Sequence, residues 1–242
     1  MSNIIVSEAV TSLSTKERLL ALPVPQKTGS YSPVPHGVVI DTVLESLYKA
    51  NIEVIGETYK LGNEGQQVEG YFQLKGGDNE MNLRLIFHNS YDKRLPLRVA
   101  VGAHVIVCRN GMVVGDMGAF KRKHTGTVLE EFKEEVSGSI IRIGDTFEKL
   151  RLDREKMKNI EMTKRTTAEL MGRLFIEDAL INATQIAIIK REIENPSFNY
   201  GIEGSLWNDY NAVTVALRES HPSQSMKQHM DLHRIVAKEY SL

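Results

Sequence analysis

Residues 81–126 read MNLRLIFHNSYDKRLPLRVAVGAHVIVCRNGMVVGDMGAFKRKHTG, and the fold turns on how this stretch pairs with itself. Met81, Leu83, Leu85 and Phe87 alternate with Asn82, Arg84, Ile86 and His88, the period-2 pattern of a strand with one face in a core. Beyond a turn at Tyr91-Asp92-Lys93-Arg94-Leu95-Pro96, the pattern resumes with Val99, Val101, Val105 and Val107. Pairing Phe87 with Val99 and Leu85 with Val101 puts both apolar sets on one side, whereas a slip of one residue would separate them. The stretch therefore predicts two long antiparallel strands, a short third strand and a basic loop.

That register also predicts the opposite face, with Arg84, His88, Arg98, His104 and Cys108 among Ile86, Ala100 and Ile106. The net charge of −1 hides a polarised chain: residues 81–126 hold eight Lys or Arg and two acidic residues, residues 40–80 three and eight. A basic face continued by Lys121-Arg122-Lys123-His124 suits a groove that tracks a phosphate backbone. Solvated strand residues and lysines that protect a sheet edge are the competing explanation.

Upstream, four of the seven prolines fall in residues 1–38, as Pro23-Val24-Pro25 and Pro33-Val34-Pro35. Proline neither donates to a ladder nor sits inside a helix, so an extended arm is expected after a short helical piece near Ser14 to Leu22. Arms of this kind often pack on a neighbouring subunit. A helix is predicted from Ile40 to about Ala50, started by a Thr42/Glu45 capping box. A hairpin of residues 52–61 and 68–74 follows, turning at Gly62-Asn63-Glu64-Gly65.

After Gly126 the period becomes helical. A Thr127/Glu130 capping box opens one helix, Gly138-Ser139 marks a joint, and Ile140 to Ile160 forms a long charged helix exposed or laid against a partner. Further helices are expected over 167–194, from Leu206, and over 226–240. The whole is α+β: a proline-rich arm (1–38), a helix with an antiparallel sheet of about residues 52–115 (39–126), and a helical region continuous with it (127–242). No stretch approaches a membrane span or a secretory signal, so the chain reads as cytoplasmic. With Cys108 as the lone cysteine, an internal disulfide is excluded.

Four ordered motifs resemble one family: Asn89-Ser90-Tyr91-Asp92, Val107-Cys108-Arg109-Asn110, His124-Thr125 and Trp207-Asn208-Asp209-Tyr210-Asn211-Ala212-Val213-Thr214. They are similar, in that order, to the phage- and plasmid-borne domain of unknown function 932. Family members usually carry histidine where Tyr91 stands and Gly-Ser where Lys93-Arg94 stands. The resemblance implies a gene of phages and mobile elements, an accessory of DNA metabolism acting in the host cytoplasm. The order of elements also resembles single-strand annealing proteins of the Red-beta, RecT and Erf type. That resemblance implies a basic groove and self-assembly around single-stranded DNA.

Enzyme chemistry has little support in the sequence. His229 and His233 are four apart on a predicted helix, but no third ligand has diagnostic spacing, and neither metal nor cofactor is predicted. His104 and Cys108 lie roughly 13 Å apart along a strand. Asn89 and Asp92 read as turn residues bonded to their own backbone, Asn110-Gly111 as a hairpin turn, Trp207 and Tyr210 as core, and Asn211 as a buried amide with backbone partners. Cys108 with His88, His104 or His124 is what a nucleophilic site would draw on.

The functional expectation is a self-assembling protein that binds single-stranded DNA through Arg84, Arg98, Arg109, Lys121, Arg122 and Lys123. Two rivals stand beside it: an interaction protein that inhibits a host defence factor, and a metal- or cysteine-dependent enzyme acting on nucleic acid.

Overall fold

A computed structural model describes residues 16–106, 111–114 and 120–242. Its centre is a six-stranded antiparallel sheet: β1 (Val54–Gly62), β2 (Gln67–Leu74), β3 (Met81–Ser90), β4 (Leu97–Val105), β5 (Gly111–Val114) and β6 (Phe120–Arg122). The β3–β4 register is the one expected, with Leu85 opposite Val101 and Phe87 opposite Val99. The outer edge of β4 is shared. Val101 to His104 pair with β5, while Leu97 to Val99 pair with β6. Lys121 and Arg122 are thus strand residues, and the expected basic loop starts only at Lys123.

Helix α1 (His36–Lys49) lies against the apolar face of the sheet and buries Val39, Ile40, Val43 and Leu47. It starts four residues before the predicted start. Pro35 is its N-cap, with φ preset near −57°, and the Pro35 carbonyl accepts the Val39 N–H at 3.2 Å. Thr42 is therefore interior and caps nothing. The arm in front of α1 folds on its own chain: Leu19, Tyr31 and Val34 are buried, and the Tyr31 hydroxyl donates to the Tyr91 carbonyl at 3.0 Å.

The other helices differ from expectation mostly at their ends. Helices α2 (Val128–Ile141) and α3 (Ile143–Asn159) meet at Arg142, and Gly138 stays helical. No side-chain cap forms at Thr127, whose hydroxyl bonds Glu131 instead. Far from being free, α3 buries Leu150, Asp153, Arg154 and Met157. The predicted 167–194 helix is broken into α4 (Lys164–Gly172), a π turn (Arg173–Glu177) and α5 (Ala183–Glu194), whose start is fixed by an Asn182/Gln185 capping box. Helix α6 (Leu206–Leu217) is buried along most of its length, and α7 (Pro222–Glu239) closes the chain.

The decisive placement is that of α7. Met226 and Met230 pack on Tyr71, Ile86, Ala100 and Val113, all on the polar side of the sheet, while Leu232, Ile235 and Val236 join the main core. A sheet expected to show water one basic face instead has a helix across it. Among the described residues no helix is long and apolar enough to cross a membrane.

Candidate functional site

On the face beneath α7 the registers align a charged row across five strands: Lys60, Glu69, His88, Arg98 and Lys121. His88 Nε2 donates to Glu69 Oε1 at 2.9 Å, and Lys60 Nζ lies 3.9 Å from the other carboxylate oxygen. Burial alone would raise the Glu69 pKa, but the His88 hydrogen bond and the charges of His88 and Lys60 hold it down at about 2. One turn of pleat away, the Arg84 guanidinium stacks 4.7 Å from the Tyr71 ring. Arg98 is 9% exposed, with its guanidinium against the Met230 sulfur. Arg84 and Arg98 therefore belong to the sheet–helix layer and not to an open groove. Sequence reasoning missed Glu69 and Lys60, because the signal lies in β2–β3 pairing: Gly70 sits opposite Phe87, which puts Glu69 beside His88.

Immediately after His88, at the C-terminal end of β3, the first and third motifs meet. Asn89 points into the core, where its amide donates to the Val34 carbonyl (2.8 Å) and to His36 Nδ1 (2.9 Å). It is a clasp between strand and arm, and the turn role expected of it falls to its neighbours. Asp92 does that work: Oδ1 accepts the Arg94 N–H at 3.0 Å, and Oδ2 accepts the amides of Gln67 and Asn63. The Tyr91 ring stacks 3.9 Å from His36, and its hydroxyl accepts the His36 N–H. Burial pushes the His36 pKa down to about 4, with the Gly65 carbonyl opposing and His124 reinforcing. His124 is also buried, which lowers its pKa. Its carbonyl accepts the Ser32 N–H at 2.8 Å, tying the arm to the end of β6.

Around this buried knot the surface is basic. Lys27, Lys93, Arg94, Lys121, Arg122 and Lys123 are all exposed. Lys93 lies 4.7 Å over the Tyr31 ring. Arg122 is paired with Glu131 at 2.6 Å and shares a groove with Lys121, Glu134 and Glu135. Arg122 is thus tied to an acidic helix, while Lys93, Arg94, Lys121 and Lys123 are exposed with no carboxylate at ion-pair distance among the described residues.

The remaining candidates are separate from this end. Trp207 and Tyr210 stack at 5.9 Å inside the helical core, and the Asn211 amide donates to the Trp207 carbonyl at 2.8 Å. His229 and His233 take separate partners, the Ser225 carbonyl and Asp153, and so do not converge on one ion. Among the described residues no group of three or more His, Cys, Asp or Glu is placed to hold a metal. Cys108, Arg109 and Asn110 lie outside the described residues.

Fold and site together define an α+β protein whose sheet has one charged face sealed by a C-terminal helix and one exposed basic end. The chain belongs to the family described as Domain of unknown function (DUF932), whose model matches residues 28–237. No curated protein and no solved structure matches it.

Proposed function

We propose that the chain is a single-strand nucleic-acid-binding protein of mobile-element origin, DNA being its preferred partner, and that it contacts phosphates at the basic end of the sheet. One observation carries the reading: pairing of β6 with β4 sets Lys121 and Lys123 beside the turn that exposes Lys93 and Arg94. Cations from distant segments of sequence converge where only one of them, Arg122, has a carboxylate partner at ion-pair distance among the described residues. The aromatic rings here, Tyr31 and Tyr91, are buried, which favours backbone contacts over base stacking. Self-assembly is supported by a second surface, an open groove lined by Ile52, Ile143 and Phe147, at whose edge Tyr48 and Ile141 are 85% and 80% exposed.

The test is a salt titration with a labelled oligonucleotide. Each phosphate contact on a single strand contributes about −0.7 to the slope of log affinity against log salt. Replacing Lys93, Arg94, Lys121 and Lys123 by Ala should weaken binding and flatten the slope by up to about 3. An unchanged slope overturns the reading. In that event the exposed Tyr48–Ile141 groove favours the rival, an interaction protein whose partner is another protein. Tyr48→Arg would then abolish partner capture and leave oligonucleotides irrelevant.

A further inference from the structure

The cavity between α7 and the sheet, about 130 Å³, is lined by Lys60, Glu69, Tyr71, Arg84, Arg218 and His229, among others. Arg84 Nε is sealed from solvent with no hydrogen-bond partner, and no carboxylate of the described residues forms an ion pair with the guanidinium. Glu69, the one acidic group on the wall, is shared between His88 and Lys60. Three cations, Lys60, Arg84 and Arg218, thus line a cavity with one carboxylate, and desolvation already works against the Arg84 charge. An uncompensated buried charge is costly, and a guanidinium fork with free N–H groups has the shape that an oxyanion completes.

We propose that this cavity binds a phosphate group, either free or terminal on a nucleotide, gripped by the Arg84 fork and the Lys60 ammonium. His229 lines the same wall, and its Nδ1–H donates to the Ser225 carbonyl at 3.0 Å, so Nε2 carries the lone pair when the ring is neutral. Protonation of Nε2 adds a third donor and offsets the repulsion of Glu69. The groups facing the phosphate are Lys60, Glu69, Tyr71, Arg84, Arg218 and His229, with His88 behind Glu69. Burial lowers the His229 pKa, so this proton is disfavoured in the empty cavity and any gain from it comes only with the bound anion. The inference is independent of strand binding at the basic end of the sheet.

The experiment uses the full chain and three probes: inorganic phosphate, adenosine 5′-monophosphate and adenosine. Calorimetric titration should give saturable binding of phosphate over a chloride control of equal ionic strength. Arg84→Gln should lose about tenfold or more in affinity, as should Lys60→Gln, whose side chain is 28% exposed and which therefore still folds if Arg84→Gln does not. Whichever of phosphate and the nucleotide binds more tightly identifies the source of the group. Equal responses to phosphate and chloride, unchanged affinity in Lys60→Gln, or adenosine binding as well as its monophosphate would each overturn the proposal. Lys93→Ala with Arg94→Ala should leave phosphate affinity intact, which separates this site from the strand-binding surface.

Discussion

Acidification should destabilise the protein in a window set by His36. The ring is fully buried, stacked on Tyr91, and accepts the Asn89 amide at Nδ1, so the folded state holds it neutral. Its pKa falls from 6.5 to about 4 on folding, with burial as the main cause. Between those values the unfolded chain binds a proton that the native chain does not, so stability rises with pH there. The contribution is complete above 6.5, shrinks as pH falls, and is gone below about 4. That fall is worth about 3 kcal/mol of stability in all. Urea unfolding at a series of pH values measures it as a slope approaching about 1.4 kcal/mol per pH unit from this one residue. His124 and His229, whose pKa values are also lowered by burial, add in the same sense. His36→Phe keeps the ring stack and leaves Asn89 bonded to the Val34 carbonyl, while removing the titration. The variant's slope should be smaller by about one proton. An identical slope in variant and parent would refute the reasoning, whatever the variant's stability at neutral pH.

Three further outcomes follow from single contacts. Gly70→Ala would place a Cβ 2.0 Å from the Phe87 ring, so the urea midpoint should drop by the equivalent of about 1–3 kcal/mol or more. Ser90→Ala should cost about 1–3 kcal/mol in the same assay, because the buried hydroxyl both donates to the Leu95 carbonyl (2.9 Å) and accepts the Leu95 N–H (3.1 Å). Arg122→Ala breaks an exposed pair with Glu131 and should change stability by no more than about 1 kcal/mol, with little effect on the salt slope of oligonucleotide binding.

Period-2 alternation was enough, without coordinates, to determine the central hairpin. A one-residue slip would put Leu85 and Phe87 on the face opposite Val99 and Val101, and of the registers that keep them together the expected one is observed. The motifs likewise carried the family, and Asp92 showed its turn role, since an Asx side chain bonding two residues ahead is a local event. Tertiary structure decided what the basic face is for. Arg84 and Arg98 looked like groove residues because a strand's outward face is read as solvent-facing by default. Nothing near β3 or β4 in sequence says that a helix more than 110 residues downstream will cross it. The partners that matter there, Glu69 for His88 and Tyr71 for Arg84, arrive from β2 across the ladder, and Met226 and Met230 arrive from α7. The same holds for Asn89, whose amide N–H donates to the carbonyl of an arm residue 55 positions away. Local periodicity reports which side of an element is apolar; which element covers the other side depends on pairings between distant segments.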